Sequence, residues 1–426
     1  MIELLSNQLV FSFVLMLVLI GAILLVVAYS TLAERKISAW IQERSGPNRV
    51  GFFGLFRNFS FWGLGQPMAD GLKFLFKEDI IPGRVDRPLY VLAPALMFIV
   101  AVVGFAVIPW GGVVDLDGDG VVDVHCQVAN PDIGLLYMLG ISAMGVYGIV
   151  LGGWASNNKY SFYGAIRAAA QMISYEIPLG LSILVVVLMS DGQLRLEGIV
   201  LSQIGEGNCW NILVYPVAFV VLLIAQFAET NRTPFDLAEC EQELVGGFHT
   251  EYGSMKFAMF FLGEYTHLIV NSAFISVLFL GGWHLPFIPG LQPEDTSIWA
   301  MLFKMLVLGG KVIGFIFIYM WVRWTIPRFR FDQLMQLAWK ALVPLSMGLV
   351  AAAALMVYFR VPAMGVIGKV FWGVLSNVTV LLVLLVVLAL SRGRVTGRQD
   401  NLPTISLLDP AKPKPARMSQ TRGRTA

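Results

Sequence analysis

Cysteine is scarce in this chain: Cys126, Cys209 and Cys240 are the three among 426 residues, and they lie far apart. With no C-x-x-C pair, the sequence offers neither an iron–sulfur cluster frame nor a structural zinc site of its own. Histidine is sparse too, and His125, His249, His267 and His284 show no repeated spacing suited to haem or zinc. Charge is the third shortage. Asp, Glu, Lys and Arg make up 14% of the chain against 57% hydrophobic residues. A soluble domain cannot hide that much apolar surface, so the composition excludes that class and implies a polytopic membrane protein. The net charge of +2 says little, because in a membrane protein the placement of the charges is what matters; no nucleic-acid partner is expected. A basic segment ahead of the first apolar run is also missing. Arg35 and Lys36 follow that run, so it reads as a first transmembrane helix and not as a signal peptide.

What is present is a series of apolar runs, each near the ~20 residues a bilayer span needs. They cover 9–29, 89–109, 133–151, 173–190, 212–228, 255–281, 298–322, 341–359 and 370–390. Backbone groups in lipid must bond within their own segment, so the fold class is all-α: a transmembrane helix bundle of about nine spans. Lys and Arg set the orientation. The first loop, 30–88, is rich in both, the third holds Lys159 and Arg167, and the seventh holds Arg323, Arg328 and Arg330. The alternate loops are poor in bases, which places the N-terminus outside and the C-terminus in the cytoplasm. Within the first loop, "QPMADGLKFLFKED" reads as an amphipathic helix on the membrane surface, with Met68, Leu72 and Leu75 opposed by Asp70, Lys73 and Lys77. The segment 391–426, with four prolines among scattered bases, is expected to be a disordered tail near anionic lipid.

The chemistry is expected where charge enters an apolar setting. Glu264 falls about nine residues into the sixth span, roughly 13 Å deep. His267 and Asn271 follow at i+3 and i+7 on the same face. Lys311 in the seventh span is placed at a similar depth, so a Glu264–Lys311 contact is expected, either as a proton-handling pair or as a static ion pair. Lys304 is expected to snorkel toward the outer surface. On the fourth helix, Arg167, Gln171, Ser174 and Tyr175 form one stripe, Glu176 faces the opposite way, and Pro178 is expected to loosen the helix. The stretch "AETNRTPFDLAECEQELVGGFHTEY" gathers Glu229, Asp236, Glu239, Glu241, Glu243 and Glu251, with only Arg232 and His249 nearby in sequence. Like charges so crowded raise one another's pKa, which suits a proton relay or charge sensor. A solvated acidic loop is the bland alternative, and Arg232 and Pro234 argue for a fixed local fold instead. In the second loop, Asp115, Asp117, Asp119 and Asp123 match the start of a calcium loop, but the twelfth position is Cys126 and not an acid. A hairpin with a Gly-rich turn explains the same stretch.

Five ordered segments carry a family resemblance: "AERKISAWIQERSGPNRVG", "QPMADGLKFLFKED", "NNKYSFYGAIRAAAQMISYEIPLGLS", "AETNRTPFDLAECEQELVGGFHTEYGSMKFAMFFLGEY" and "IPRFRFDQLMQLAWK". From about residue 9 to 359 the chain resembles the H subunit of NADH-quinone oxidoreductase, respiratory complex I, whose mitochondrial counterpart is NADH dehydrogenase subunit 1. The resemblance implies a bacterial plasma-membrane protein docked to the iron–sulfur and quinone-site subunits of the peripheral arm and to other membrane-arm subunits. It implies quinone as substrate, no cofactor held by this chain, and FMN and iron–sulfur clusters in the partners. It places Arg35, Lys36, Arg44, Asp70, Lys73, Arg167 and Tyr175 at the quinone chamber and entrance. It assigns proton coupling to Glu176, Glu229, Arg232, Asp236, Glu239, Glu241, Glu243, Glu251 and Glu264, with Lys311 added from its span position. The domain division expected is a core of 1–360, with loops 30–88 and 229–254, an additional helix 361–390 and the tail. One departure is "FRNFSFWGLG" between Leu55 and Gln66, where the family runs almost directly from "GL" to "QP". Related membrane-bound hydrogenases or ferredoxin-linked complexes use similar subunits. A secondary cation transporter, the alternative from another class, would show an internal repeat, and none is visible.

Overall fold

The computed structural model describes residues 7–51, 61–115, 123–204, 209–285 and 295–392. By its internal contacts the chain divides into Met1–Val380 and Leu381–Ala426. The second unit contains, among the described residues, only the end of the last helix. Most of the tail, and residues 56–60 of the insertion, lie outside the described residues.

Among the described residues, eight helices are long and apolar enough to span a bilayer: α1 (Gln8–Ile41), α3 (Arg87–Val103, prolonged by a tighter turn to Val107), α4 (Gly134–Ala155), α5 (Lys159–Met189), α10 (Ser254–Phe279), α11 (Ile298–Thr325), the run Phe331–Tyr358 and α14 (Val366–Arg392). A ninth apolar helix, α8 (Pro216–Glu229), is shorter. It occupies the fifth expected span, where a short α7 (Asn211–Val214) ends and Pro216, lacking an N–H, begins a new helix. The run Phe331–Tyr358 is built from α12 (Phe331–Gln336), a π-helical stretch at Leu337–Leu342 and α13 (Val343–Tyr358). The helix α5 starts at Lys159 under an Asn158 cap and runs as one helix through Pro178. The short helices α6 (Leu196–Ser202) and α9 (Glu241–Leu244) lie in connections.

The first loop contains the expected surface helix, α2 (Gln66–Phe76). Met68, Leu72, Leu75 and Phe76 are exposed on it, while Asp70 is turned inward onto Arg35 at 2.7 Å. Trp62, just ahead of it, is 77% exposed, an aromatic placement suited to a membrane interface. In the second loop, β1 (Val113–Val114) and β2 (Val124–His125) pair antiparallel, Val113 opposite His125, as the hairpin reading required. Asp117 and Asp119 of the calcium candidate lie outside the described residues.

Small residues let the helices close on one another. On α4, a Cβ at Gly148 would meet Met97 Cβ at 2.9 Å, and one at Gly152 would meet Phe260 at 3.0 Å. These two glycines, one turn apart, bring α3 and α10 against α4, the means by which helices associate where water gives no drive. The core at this junction includes Tyr90, Met97, Ile149, Met172 and Phe260, and also Ala238, Phe248 and Tyr252 from the acidic loop. The loop is thereby stitched into the bundle. The helix α10 is the most enclosed: every residue from Leu268 to Phe279 is buried.

This packing predicts that Gly148→Val, forced against the backbone and Cβ of Met97, costs about 1–3 kcal/mol. Gly140→Val on the same helix, where nothing lies within 4 Å, is expected to be near neutral. Thermal inactivation of the two purified variant complexes measures the difference.

Candidate functional site

A cavity of about 580 Å³ opens between α1, α2, α10 and the end of α11. That volume is in the range of small-molecule pockets. Its walls are largely apolar, with Val27, Phe74, Phe257, Phe261, Leu262 and Trp324 among them. The polar groups on the wall are few: Thr31, Glu34, Arg35, Ser38, Asp70, Tyr265 and Arg323. Arg35 and Asp70, both expected at a quinone chamber, therefore meet here as an ion pair. Lys36 donates to the carbonyl of Trp62 and lies 6.0 Å from that ring. Arg44 bonds Gln42, and Lys73 is exposed on α2. Arg167 and Tyr175 are not on this wall. Arg167 pairs with Glu243 at 2.6 Å, and the buried Tyr175 hydroxyl donates to the carbonyl of Leu334 at 3.0 Å.

Glu34 is the residue that sequence reasoning passed over. It is 7% exposed and ends the buried stripe Leu19, Ile23, Val27, Ser30, Glu34 on α1. Three partners converge on it: Arg323 at 2.6 Å, the Tyr265 hydroxyl donating at 2.5 Å, and Arg232 at 3.3 Å. The Arg232 guanidinium stacks over the Tyr265 ring at 4.1 Å and stands 4.0 Å from Glu264. Burial alone would lower its pKa, but Tyr265, Glu34 and Glu264 outweigh that, and the value is raised. Arg232 is therefore a permanent cation held between two buried carboxylates.

From Glu264 the polar groups continue away from the cavity. Glu264 and His267 on α10 face Glu229, Thr230 and Asn231 across a void of about 20 Å³, enough for a water molecule. His267 Nε2 lies 3.3 Å from Glu229, and Asn271 donates to Glu229 at 3.1 Å. Glu229 and Glu176 then share a second small void with Ser142. The expected stripe of Glu264, His267 and Asn271 is thus assembled. Glu229 and Glu176, from α8 and α5, extend it.

The rest of the acidic loop is largely answered by partners, and this corrects the expectation that only Arg232 and His249 balance it; Glu243, paired with Arg167, remains exposed. Asp236 accepts from Arg328 at 2.7 Å, and Arg328 also reaches Cys240 Sγ at 3.2 Å. Glu239 lies 3.5 Å from His249, and Glu251 accepts from Asn158 at 2.6 Å. Most of these partners come from other helices and connections, so counting bases along the loop could not find them. Glu241 opens α9, and its side chain is outside the described residues. Asp236 nevertheless carries a pKa raised to about 7. Burial is the main cause and the charge of Glu239 the second, against the lowering effect of Arg328 and Arg232.

Two lysine expectations are overturned. Lys311 does not meet Glu264. Its ammonium is taken by the carbonyls of Leu280, Gly282 and His284, and Leu280 lies 16 residues, or about 24 Å of helix, beyond Glu264. Depth counted from two helix ends did not fix where the long side chain reaches. Lys304 does not snorkel to solvent. It is fully buried, bonded to the Asp295 carbonyl at 2.8 Å and 4.7 Å from the Trp283 ring.

Fold and site together define a polytopic helical membrane protein in which an apolar cavity adjoins a buried chain of ionisable groups. The NADH dehydrogenase family model matches residues 14–354. The chain is 49% identical to the H subunit of NADH-quinone oxidoreductase from Leptospira biflexa over 336 residues, 77% of this chain and 90% of the relative. It is 48% identical to the protein of that name from Flavobacterium johnsoniae over 331 residues, 78% of this chain and 90% of the relative. For the protein of that name from Protochlamydia amoebophila the figures are 49% over 319 residues, 75% and 89%. The chain belongs to the NADH dehydrogenase family, with the H subunits of NADH-quinone oxidoreductase as its relatives.

Two outcomes follow. Arg232→Met strips Glu34 and Glu264 of their shared cation, and breaking such a buried pair costs about 3–5 kcal/mol. Thermal unfolding of the assembled complex registers this as a lower midpoint. For Asp236, a pKa raised from 3.8 to about 7 in the folded protein means the folded state holds the proton more tightly than the unfolded chain. Its contribution to stability is full below pH 3.8 and is lost as the pH rises through about 7. Asp236→Asn should flatten that part of the stability–pH curve.

Proposed function

We propose that this chain is the membrane subunit of a proton-translocating NADH:quinone oxidoreductase, and that the cavity beneath α2 takes the quinone. The observation that carries this reading is Glu34. One carboxylate stands on the cavity wall and is also the first member of a chain, Glu34–Arg232–Glu264–His267–Glu229, that is buried at its start and ends at the exposed Glu176.

The apolar walls suit a quinone, and the few polar groups provide hydrogen bonds and protons to its ring. Reduction adds two electrons and two protons and yields the quinol. The electrons come from iron–sulfur clusters in peripheral-arm subunits, which receive them from FMN and NADH. No group of this chain is redox-active in the step. Negative charge arriving beside Glu34 in a poorly screened cavity raises the proton affinity of the nearest carboxyls. Arg232 cannot give up its proton, so it transmits the change as a field and by moving between Glu34 and Glu264. The response then passes to the His267–Glu229 pair and to Glu176, the part of the chain most remote from the cavity. Asp236, close to Arg232 and Glu239, adds proton capacity near neutral pH. The rim residues Arg35 and Asp70 guide entry, with Lys36, Arg44 and Lys73 around them. We place the chain in a bacterial plasma membrane, N-terminus outside, with the acidic loop on the cytoplasmic side toward the peripheral arm.

Glu264→Gln and Glu34→Gln are expected to leave assembly intact and to lower quinone reduction and proton pumping together, each by about tenfold, which is a rise of about 1.4 kcal/mol in the barrier. NADH:quinone activity and dye-monitored proton uptake in inverted membrane vesicles measure both. Full coupled activity in the two variants would remove these carboxylates from the pathway.

A further inference from the structure

The far end of α10 holds an arrangement that the proposed coupling does not use. Lys311 Nζ, from α11, donates to the carbonyls of Leu280, Gly282 and His284 at 2.6, 2.6 and 2.7 Å. The Trp210 ring lies 4.8 Å away and offers its π face. The chain turns its carbonyls inward here because Gly281 and Gly282 adopt positive φ, +65° and +52°. Side chains there would also collide with Trp210 Nε1 and Val200, each at 2.9 Å. The neighbouring carbonyls are occupied by other groups, Val277 by Gln203 at 3.0 Å and Leu278 by Asn211 at 2.8 Å. Two glycines, three converging oxygens and an aromatic face make a binding site for a primary ammonium, and the protein fills it with its own lysine.

We propose that Lys311 is a fixed ammonium in this carbonyl cage and closes the far end of the polar interior of α10 to protons. Three oxygens at hydrogen-bond distance need three N–H donors. An ammonium has three, whereas a neutral amine has two and would set its lone pair against the third oxygen. The place to be closed is also visible. Beyond Glu264, His267 and Asn271, the buried hydroxyls of Ser272 and Ser276 continue along α10 toward Leu280. A proton hopping along that line meets a positive charge that cannot be displaced, because the cage is also the C-terminal cap of α10. Cations are favoured there, where the last carbonyls lack backbone partners. The titratable side chain facing Lys311 is His284, whose pKa is lowered by burial first and by the Lys311 charge second. Both effects disfavour a second charge beside the ammonium.

The test uses the whole complex reconstituted in liposomes, with quinone reduction, pumping and passive proton leak read separately. Lys311→Met should keep quinone reduction, raise passive leak about tenfold or more, and lower the protons retained per quinone reduced. In Lys311→Ala, n-butylammonium should suppress the leak by refilling the cage. Tetramethylammonium, which has no N–H, should not. Lost quinone reduction with unchanged leak in Lys311→Met would overturn the proposal and make the lysine a relay group. Equal effects of the two ammonium ions would overturn the cage. Should neither variant assemble, the wild-type complex decides: its passive leak must stay flat from about pH 6 to 9. A leak that rises over that range would show a titrating amine and contradict a fixed charge.

Discussion

A single buried guanidinium governs the arrangement around it. Arg232 is 4% exposed and touches Glu34, Glu264 and the face of Tyr265. Taking those charges out of water costs several kcal/mol per ion, and only good mutual geometry repays it. The geometry needs α1, α10, α11 and the loop after α8 at fixed heights, because α1 supplies Glu34, α10 both Glu264 and Tyr265, α11 Arg323 and the loop Arg232. The glycine contacts on α4 and the burial of Ala238, Phe248 and Tyr252 hold those heights. The charge cluster and the packing therefore require each other.

In the proposed coupling, such a cluster responds to a cavity-side event without carrying electrons. Glu34 belongs to the cavity wall and to the buried chain, so a change of charge in the cavity is felt first by a carboxylate already shared among Arg232, Arg323 and Tyr265. Weak screening makes that response large. The void between Glu264, His267 and Glu229 has room for a water to bridge what the side chains do not reach. The cage around Lys311 completes the logic at the other end of α10, where a mobile proton would be a loss.

The helices were legible in the sequence because lipid leaves the backbone one choice, and length with hydropathy then marks each span. The fifth span was legible as apolar but not as broken, although Pro216 was the signal. Within the site, the stripe Glu264, His267 and Asn271 followed from helical spacing, and Asp70 and Arg35 followed from the family segments. Glu34 did not stand out, since a Glu beside Arg35 and Lys36 looks like an ordinary helix-end charge. The buried stripe from Leu19 to Ser30 points at it once the stripe is traced one turn further. In sequence, Arg323 and Arg328 stand out only as orientation charges, because their carboxylate partners are roughly 90 or more positions away. Lys311 reaches the carbonyls beyond α10 and not Glu264, because depth along a helix says nothing of azimuth or of side-chain reach. Long-range pairing of this kind is set by packing, and one sequence does not encode it in any local pattern.

The most direct measurement is redox-difference infrared spectroscopy of the assembled complex, following the carbonyl stretch of protonated carboxyl groups as quinone is reduced. A band that appears or shifts on reduction, and is lost when Glu34 or Glu264 is replaced by glutamine, is the predicted result. A spectrum in which no carboxyl group of this chain changes protonation or hydrogen bonding through a full reduction cycle would contradict the account.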